Sequence, residues 1–439
     1  MKKVVKFGGS SLASAEQFKK VGDIIRADES RRYVVPSAPG KRFNTDTKVT
    51  DMLYQCYALA EAGKKFDAEL TAIEKRYNEI IKGLDLALSL EKEFEVIKKN
   101  FQDKAGKDYA ASRGEYLNGI IMANYLGYEF LDSAQYIFFH DDGTYNSEKT
   151  TEILGAKLAE TEKAVIPGFY GAYDDGRVKT FSRGGSDVTG SIVAAAAKVD
   201  LYENWTDVSG CLIADPRIIH NPQPIKAITY RELRELAYMG ATVLHEDAIF
   251  PVRKEGIPIN IKNTNKPEDE GTMIVESTCR QSEYTITGIA GKKGFVAINI
   301  DKDMMNSEIG FGRKVLEAFE KHGISFEHMP SGIDTMTIFV HQPEFEGKEQ
   351  LVLADIHRLA HPDSIDIESD LALIAVVGRG MKAAKGTAGR IFSALAHARI
   401  NVKMIDQGSS ELNIIIGVKN SDFEKAIRAI YDIFVETQL

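Results

Sequence analysis

Cysteine is scarce. The chain holds three in 439 residues, Cys56, Cys211 and Cys279, with no CxxC spacing. That argues against a disulfide framework or a cysteine-built metal site and makes a reducing cytoplasm the expected setting. Long apolar runs are missing as well: none approaches the ~18 residues that a membrane span needs. The chain enters a strand pattern at Val4-Val5-Lys6-Phe7, which leaves no room for a signal peptide. Basic charge is not in excess, since 64 acidic against 55 basic residues give a net −9. A general nucleic-acid binder is therefore not expected, although a local basic site is compatible with this balance. There is no GxxxxGK(S/T), which argues against a P-loop NTPase, and neither HExxH nor a run of ligands at zinc spacing. The nine histidines are scattered, none beside an obvious nucleophile, and there is a single tryptophan, Trp205.

What is present reads as an α/β chain of ordinary globular composition, 44% hydrophobic and 27% charged, long enough for about three domains at ~150 residues each. The strand ending in Phe7 gives way to Gly8-Gly9-Ser10-Ser11. Ser14 with Gln17 three residues on marks a helix start. Tyr33-Val34-Val35 reads as the next strand, residues 41–50 as a polar loop, and 51–100 as a helical lobe. Between 130 and 290, short apolar runs (Tyr136–Phe139, Ala164–Pro167, Leu201–Trp205) alternate with helical patterns, which predicts a mostly parallel sheet with helices on both faces. Asn265 to Gly271 reads as a turn or linker, with a domain boundary near 275–285.

The last 155 residues repeat themselves at an offset of 76, without gaps. Val315–Phe319 falls on Ile391–Leu395, Ile324–Phe326 on Ile400–Val402, and Thr337–Phe339 on Asn413–Ile415. Each copy reads β-α-β-β-α-β, the ferredoxin-like split motif, and a period this long suits two compact domains rather than a solenoid.

Two glycine turns carry the chemistry. Lys6 to Ser11 and Ser182-Arg183-Gly184-Gly185-Ser186-Asp187 each follow a strand, precede a helix and bring a cation. Glycine lets the backbone approach a phosphate closely, and free N–H groups at a helix start favour an anion; two capped strand–helix turns are the structural alternative. Ser112 with Glu115 reads as a capping box for the helix Tyr116 to Leu126. Trp205 reads either as core or as the edge of a ligand crevice beyond a strand end. Gly378-Arg379-Gly380-Met381-Lys382-Ala383 matches GxGxxA, but only 33 residues follow Asp406, too few for a dinucleotide domain.

Together KFGGSS at 6–11, SRGEYLNG at 112–119, SRGGSDVTG at 182–190, WTDVSG with ADPR across 205–217 and MGATVLHEDA at 239–248 resemble the aspartate kinase family. The terminal repeat is similar to that family's paired ACT domains. The resemblance implies the amino-acid kinase fold over 1–280, a first ACT-like domain over 281–362 and a second over 363–439; the first strand, Tyr284–Ile289, is left open to either copy, since relatives can thread one ACT domain through the other. With the chain ending after the second repeat, it implies the monofunctional form.

The implied reaction is ATP-dependent phosphorylation of the L-aspartate side-chain carboxylate, the first step toward lysine, threonine and methionine, with Mg²⁺ accompanying the nucleotide and no dedicated protein metal site. By the resemblance, Lys6 and Asp187 are catalytic. The nucleotide is held by Lys6, Gly8, Gly9, Ser10, Thr206, Asp207, Leu212, Arg217 and Thr242. The substrate is held by Thr50 (with 41–49 read as an insertion), Glu115, Arg183, Gly184, Gly185 and Ser186. Two positions depart from the family pattern: Thr242 replaces a common lysine and Leu212 a common tyrosine. An effector, lysine first and threonine second, is implied at Ser307, Gly310, Phe311, Glu327 and Ser331. A cytoplasmic homodimer or dimer of dimers joined through the ACT domains follows, with neither nucleic acid nor membrane as partner. The rival readings are a kinase of the same fold acting on glutamate or acetylglutamate, and an inactive amino-acid sensor.

Overall fold

A computed structural model describes residues 1–182, 184–241, 244, 248–278 and 284–437. Two compact units are present. The first comprises Met1–Cys211, Pro224–Arg231 and Val243–Thr278; the second comprises Leu212–Gln223, Glu232–Thr242 and Cys279–Leu439.

In chain order the first unit runs β1 (Lys3–Phe7), α1 (Ala15–Arg26), β2 (Arg31–Pro36), α2 (Val49–Glu61), α3 (Asp67–Gly83), α4 (Glu91–Gln102), α5 (Lys107–Leu126), β3 (Glu129–Phe130), α6 (Ser133–Tyr136), α7 (Ser147–Glu160) and β4 (Ala164–Val165). It continues with β5 (Tyr170–Ala172), β6 (Val178–Thr180), α8 (Gly185–Ala196), β7 (Leu201–Thr206), β8 (Ala227–Thr229), the start of α9 (Tyr230–Tyr238), α10 (Phe250–Lys254), β9 (Ile259–Asn263) and β10 (Thr272–Val275). The sheet order is β3-β4-β2-β1-β7-β9-β10-β8. Only the β9–β10 pairing is antiparallel; the other six are parallel. Central strands of a parallel sheet are covered on both faces and so are mostly apolar: Val4, Val5 and Phe7 of β1 and Val34 and Val35 of β2 are sealed from solvent. One cluster fuses this sheet with the helical lobe, bringing Phe7 and Trp205 together with Tyr57, Tyr77 and Phe101. The lone tryptophan is thus a core residue, 1% exposed, its indole N–H donating to Glu203 at 2.9 Å.

Two local expectations are corrected here and a third is met. Ser112 is no cap: α5 begins at Lys107, Ser112 sits inside it and bonds back to the Tyr109 carbonyl at 2.7 Å, and Glu115 is carried into a buried mid-helix position. Tyr136 to Phe139 is not a continuous strand: Asp132 accepts from the Ala134 N–H and caps the helical turn Ser133–Tyr136, and only Phe138 and Phe139 make isolated bridges, to Ala172 and Tyr145. The turn read at Asn265 to Gly271 is present, as the connection between the antiparallel β9 and β10.

The second unit continues α9 and then runs β11 (Gly288–Asp301), α11 (Phe311–Lys321), β12 (Phe326–His328), β13 (Thr335–His341), α12 (Gln342–Phe345), α13 (Glu349–Ala360), β14 (Ser364–Val377), α14 (Thr387–His397), β15 (Met404–Asp406), β16 (Asn413–Lys419) and α15 (Phe423–Tyr431). Its sheet order is β12-β13-β11-β14-β16-β15. The 14-residue strands β11 and β14 pair along their whole length but serve two partners. Phe295–Asp301 pairs with β13, and Leu371–Val377 with β16. The register shifts beside Gly294, whose φ of +89° is open to glycine. Each ferredoxin-like half therefore borrows one half-strand from each long strand.

The repeat itself is not gapless. Its offset is 76 from Phe311 to Thr387, where α11 and α14 begin, but 78 from Phe326 to Met404 and from Thr335 to Asn413. The turn after α14 holds two additional residues. A shift of two leaves every strand side chain on its original face, so the hydrophobic pattern conceals it.

Within this unit the Glu232 carboxylate, fully buried, accepts from the Thr287 hydroxyl at 2.6 Å, the Arg379 N–H at 2.9 Å and the Arg379 guanidinium at 2.8 Å. That network explains why 232–242 belongs with the repeat. It also shows the GxGxxA segment as a 3-10 turn, Arg379–Lys382, employed in structure. Among the described residues no helix is long and apolar enough to cross a membrane.

Candidate active site

The site lies at the carboxyl ends of β1, β2 and β7, where an open parallel sheet leaves a crevice. A cavity of about 750 Å³ is walled by Gly8, Gly9 and Ser10 after β1, by Ser37 to Asn44 after β2, by Lys48 and Thr50 at the start of α2, by Glu115 of α5, and by Thr206 and Asp207 after β7. Seven residues singled out in the sequence for the nucleotide or the substrate meet here: Gly8, Gly9 and Ser10 of the glycine turn, Thr50, Glu115 and the Thr206-Asp207 pair. The two backbones that form the floor are nearly touching. Gly40 N–H donates to the Gly9 carbonyl at 2.8 Å, and a Cβ on Gly40 would stand 2.6 Å from the Gly9 carbonyl carbon. Only glycine fits there.

Lys6 is 7% exposed, and its ammonium lies 2.5 Å from the Asp187 carboxylate. A Cβ on Gly8 would be 3.7 Å from that same Nζ, so the cation stands directly behind the glycine turn. Asp187 occupies the first turn of α8, whose N-cap Gly184 is left-handed with φ +58°. Gly185 is pressed against Phe169, and Ser186 against Gly168. Asn204 of β7 donates to Asp187 Oδ1 at 2.7 Å. Lys6 and Asp187 thus tie the two glycine turns together. Gly184, Gly185 and Ser186 flank this pair but do not line the 750 Å³ cavity.

Glu115 is the unusual group. It is 5% exposed, and its Oε2 has no hydrogen-bond partner among the described residues. Burial pushes its carboxyl up to about 8, against the opposing pull of the Ala38 N–H and of the Arg113 and Lys6 charges. An orphaned, buried carboxylate on a cavity wall is costly unless something binds it. The neighbouring Arg113 is itself buried, stacked over Tyr116 at 4.3 Å and Tyr109 at 4.7 Å.

The remaining expected residues fall elsewhere. Arg183 and Thr242 lie outside the described residues. Leu212 and Arg217 belong to the second unit, where the Arg217 guanidinium, exposed, is bound by Asp215 at 2.6 Å. Also in that unit, Ser307 ends a 3-10 turn, Gly310 caps α11 at φ +84° and Phe311 is buried in the first half's core. Glu327 on β12 accepts from the Tyr238 hydroxyl at 2.6 Å. Ser331 pairs with Met336 and lines a separate cavity of about 290 Å³. Backbone bonds join the two loops, since Asn306 N–H donates to the Ile333 carbonyl at 3.1 Å.

Sequence reasoning missed Asn204 and the wall from Ser37 to Asn44. Its one signal was the Pro36–Pro39 segment ending β2, followed by Gly40. No group of three or more His, Cys, Asp or Glu that could cage a metal exists among the described residues. Asp187 and Asp207 are the carboxylates at hand. One or two carboxylates suit Mg²⁺ that arrives on nucleotide phosphates, because that ion keeps water and phosphate ligands rather than a protein cage.

These features are shared with known proteins. The amino acid kinase family model matches residues 1–263, and an ACT domain model matches residues 374–434. Aspartokinase 3 of Bacillus subtilis is 41% identical, with 98% of each chain covered. The chain belongs to the aspartokinase family. The crystal structure of Clostridium acetobutylicum aspartate kinase superposes with a TM-score of 0.94 at 54% identity, covering 98% of this chain and 100% of that one. Escherichia coli aspartokinase III in complex with aspartate and ADP shares the fold, with a TM-score of 0.75, 23% identity and 99% of both chains covered. As a member of this family the chain is an aspartate kinase, with an amino-acid kinase fold followed by ACT structure.

Proposed function

We propose that this enzyme transfers the γ-phosphoryl group of ATP to the side-chain carboxylate of L-aspartate in the 750 Å³ cavity, and that lysine restrains it through the ACT-like unit. The observation that carries the substrate assignment is the unpartnered Glu115 Oε2, buried on the wall of a cavity whose other end is the Gly8-Gly9-Ser10 turn. A carboxylate there is matched by an α-ammonium group. An N-acetylated acid offers none, which disfavours acetylglutamate.

The attacking carboxylate is ionised at neutral pH and needs no general base. Phosphoryl transfer then depends on alignment and on neutralising charge at the transferring group. Lys6 supplies a fixed cation behind the glycine turn, the N–H groups of Gly9 and Ser10 donate to phosphate oxygens, and the start of α8 adds a favourable dipole. Asp187, backed by Asn204, holds Lys6 in place. Asp187 and Asp207 would hold a Mg²⁺ brought in on the nucleotide, and the ion would supply neutralisation of phosphate charge. Thr50, Gly184, Gly185 and Ser186 are assigned to the amino-acid end, and Thr206 and Asp207 to the nucleotide end; for Arg183, Leu212, Arg217 and Thr242 the resemblance alone supports a role.

For regulation, E. coli aspartokinase III has also been crystallised with lysine and aspartate in a T-state. We assign the effector to the loop at Ser307, Gly310 and Phe311 with Glu327 and Ser331, Phe311 contributing its backbone because its ring is buried. A dimer or dimer of dimers through this unit and a cytoplasmic setting complete the reading.

The deciding experiment is ATP turnover in the presence of hydroxylamine, which captures an acyl phosphate as its hydroxamate. L-Aspartate should give product, while glutamate and acetylglutamate should not. Product from none of the three would favour the inactive sensor, which the Lys6–Asp187 pair disfavours.

A further inference from the structure

Arg76 of α3 has no place in the cavity wall, yet every polar contact of its side chain goes to the segment that forms it. The residue is 5% exposed. Its Nη2 donates to the Gly40 carbonyl at 2.8 Å and its Nη1 to the Thr47 carbonyl at 3.2 Å. The same Nη1 lies 3.0 Å from Asp46 Oδ2. Asp46 also accepts from the Arg42 backbone N–H at 3.0 Å and from the Arg42 Nε at 2.9 Å. Both ends of the segment 40–47 therefore hang on one buried cation.

The two ends lead to different parts of the site. Gly40 bonds the Gly9 carbonyl in the phosphate-facing turn. Thr47 leads through Lys48, the N-cap of α2, to Thr50, whose hydroxyl would lie 3.8 Å from a Cβ on Gly114, the neighbour of Glu115. The spacing between the phosphate end and the amino-acid end is thus set by how far apart Gly40 and Thr47 are held. A guanidinium suits this task, since its rigid fork reaches several acceptors at once, whereas a lysine ammonium is a single point.

We propose that Arg76 is a positioning residue of the aspartate kinase reaction, fixing the distance between the Gly9 turn and Thr50 by clamping both ends of the segment 40–47. This goes beyond the site assignment above and rests on it only for which end receives which substrate.

The test compares the full-length chain with Arg76→Met, Arg76→Lys and Asp46→Asn in hydroxylamine-trapping kinetics, each substrate varied in turn, beside thermal unfolding. Arg76→Met should lower kcat/KM for aspartate by roughly tenfold or more, as expected when reacting groups drift by a fraction of an ångström, with KM for ATP moving less than about threefold. Arg76→Lys should recover only part of the loss, because it restores charge without the fork. Added guanidinium ion should raise the rate of Arg76→Met. A lowered melting temperature with kinetic constants unchanged would overturn the proposal, as would complete rescue by lysine. Should both Arg76 variants fail to fold, Asp46→Asn decides: it weakens the clamp from the loop side and leaves the α3 sequence unchanged, and unchanged aspartate kinetics in that variant refute the clamp.

Discussion

The Glu115 carboxyl, pushed by burial up to about 8, makes the affinity for aspartate depend on pH in a calculable way. An α-ammonium is bound by the ionised carboxylate, so substrate binding must displace the proton that the empty site retains below pH 8. For one titrating group in the free enzyme, KM is multiplied by one plus ten to the power of (pKa − pH). The factor is about 100 at pH 6 and about 11 at pH 7, so KM for aspartate should fall about ninefold over that unit and level off above pH 8. The assay is the hydroxamate rate at saturating ATP with aspartate varied, in a buffer series of constant ionic strength. Glu115→Gln should show a higher KM with no such slope. A flat profile in the wild type, or the same slope in the glutamine variant, would refute the reasoning. The same shift has a consequence for stability. A carboxyl raised in the folded state contributes fully below its unfolded pKa, and the contribution is lost as pH rises through the folded value. Between 4.5 and about 8 that loss is at most about 5 kcal/mol. Glu115→Gln should therefore gain melting temperature relative to wild type at pH 8 but not at pH 4.5.

Lys6→Met removes the cation behind the glycine turn and should cut kcat by at least ~10²-fold, with a lowered melting temperature because Asp187 loses its partner; near-normal turnover would take Lys6 out of the site. Gly40→Ala drives a Cβ to 2.6 Å from the Gly9 carbonyl carbon, and since both partners are backbone, kcat/KM should fall ~10²-fold or more in a protein that still folds. Glu327→Ala should shift the lysine inhibition curve roughly tenfold to higher concentration, within the usual 1–3 kcal/mol of coupling between sites; an unmoved curve would sink the effector assignment.

The central strands and the glycine turns that follow them were legible because they are short-range signals. Val4 to Phe7 and Tyr33 to Val35 are apolar in strand fashion, and the glycine turns follow them at once. Ser14 caps α1 where its spacing to Gln17 places it. The same spacing misled at Ser112, because a capping pair says nothing about the turn of helix already formed ahead of it. What stayed hidden was non-local. Nothing about Asp46 or Arg76 in sequence shows that a loop and a helix thirty residues on share one ion pair, and Gly40 declares its role only once Gly9 is seen against it. The two additional residues in the second repeat were invisible because the strand period of two absorbs them.

The shared long strands also dictate an order of assembly. Residues 295–370 carry everything the first ferredoxin-like half needs, so it can close as soon as it leaves the ribosome. The second half cannot. Its edge, Gly288–Lys293, is synthesised early, and its partners Ala372–Val377 follow some eighty residues later. Until then that strand is an open edge, prone to wrong pairing, and a contact of this sequence separation is slow to form. No single cut yields two intact halves, since severing the chain before Leu371 leaves the C-terminal fragment a four-stranded sheet with its outer strand missing. Such a fragment should accept a peptide of residues 286–294 in trans, as donor-strand complexes do, and the chain would then have been split at the one place where its own topology shows how to mend it.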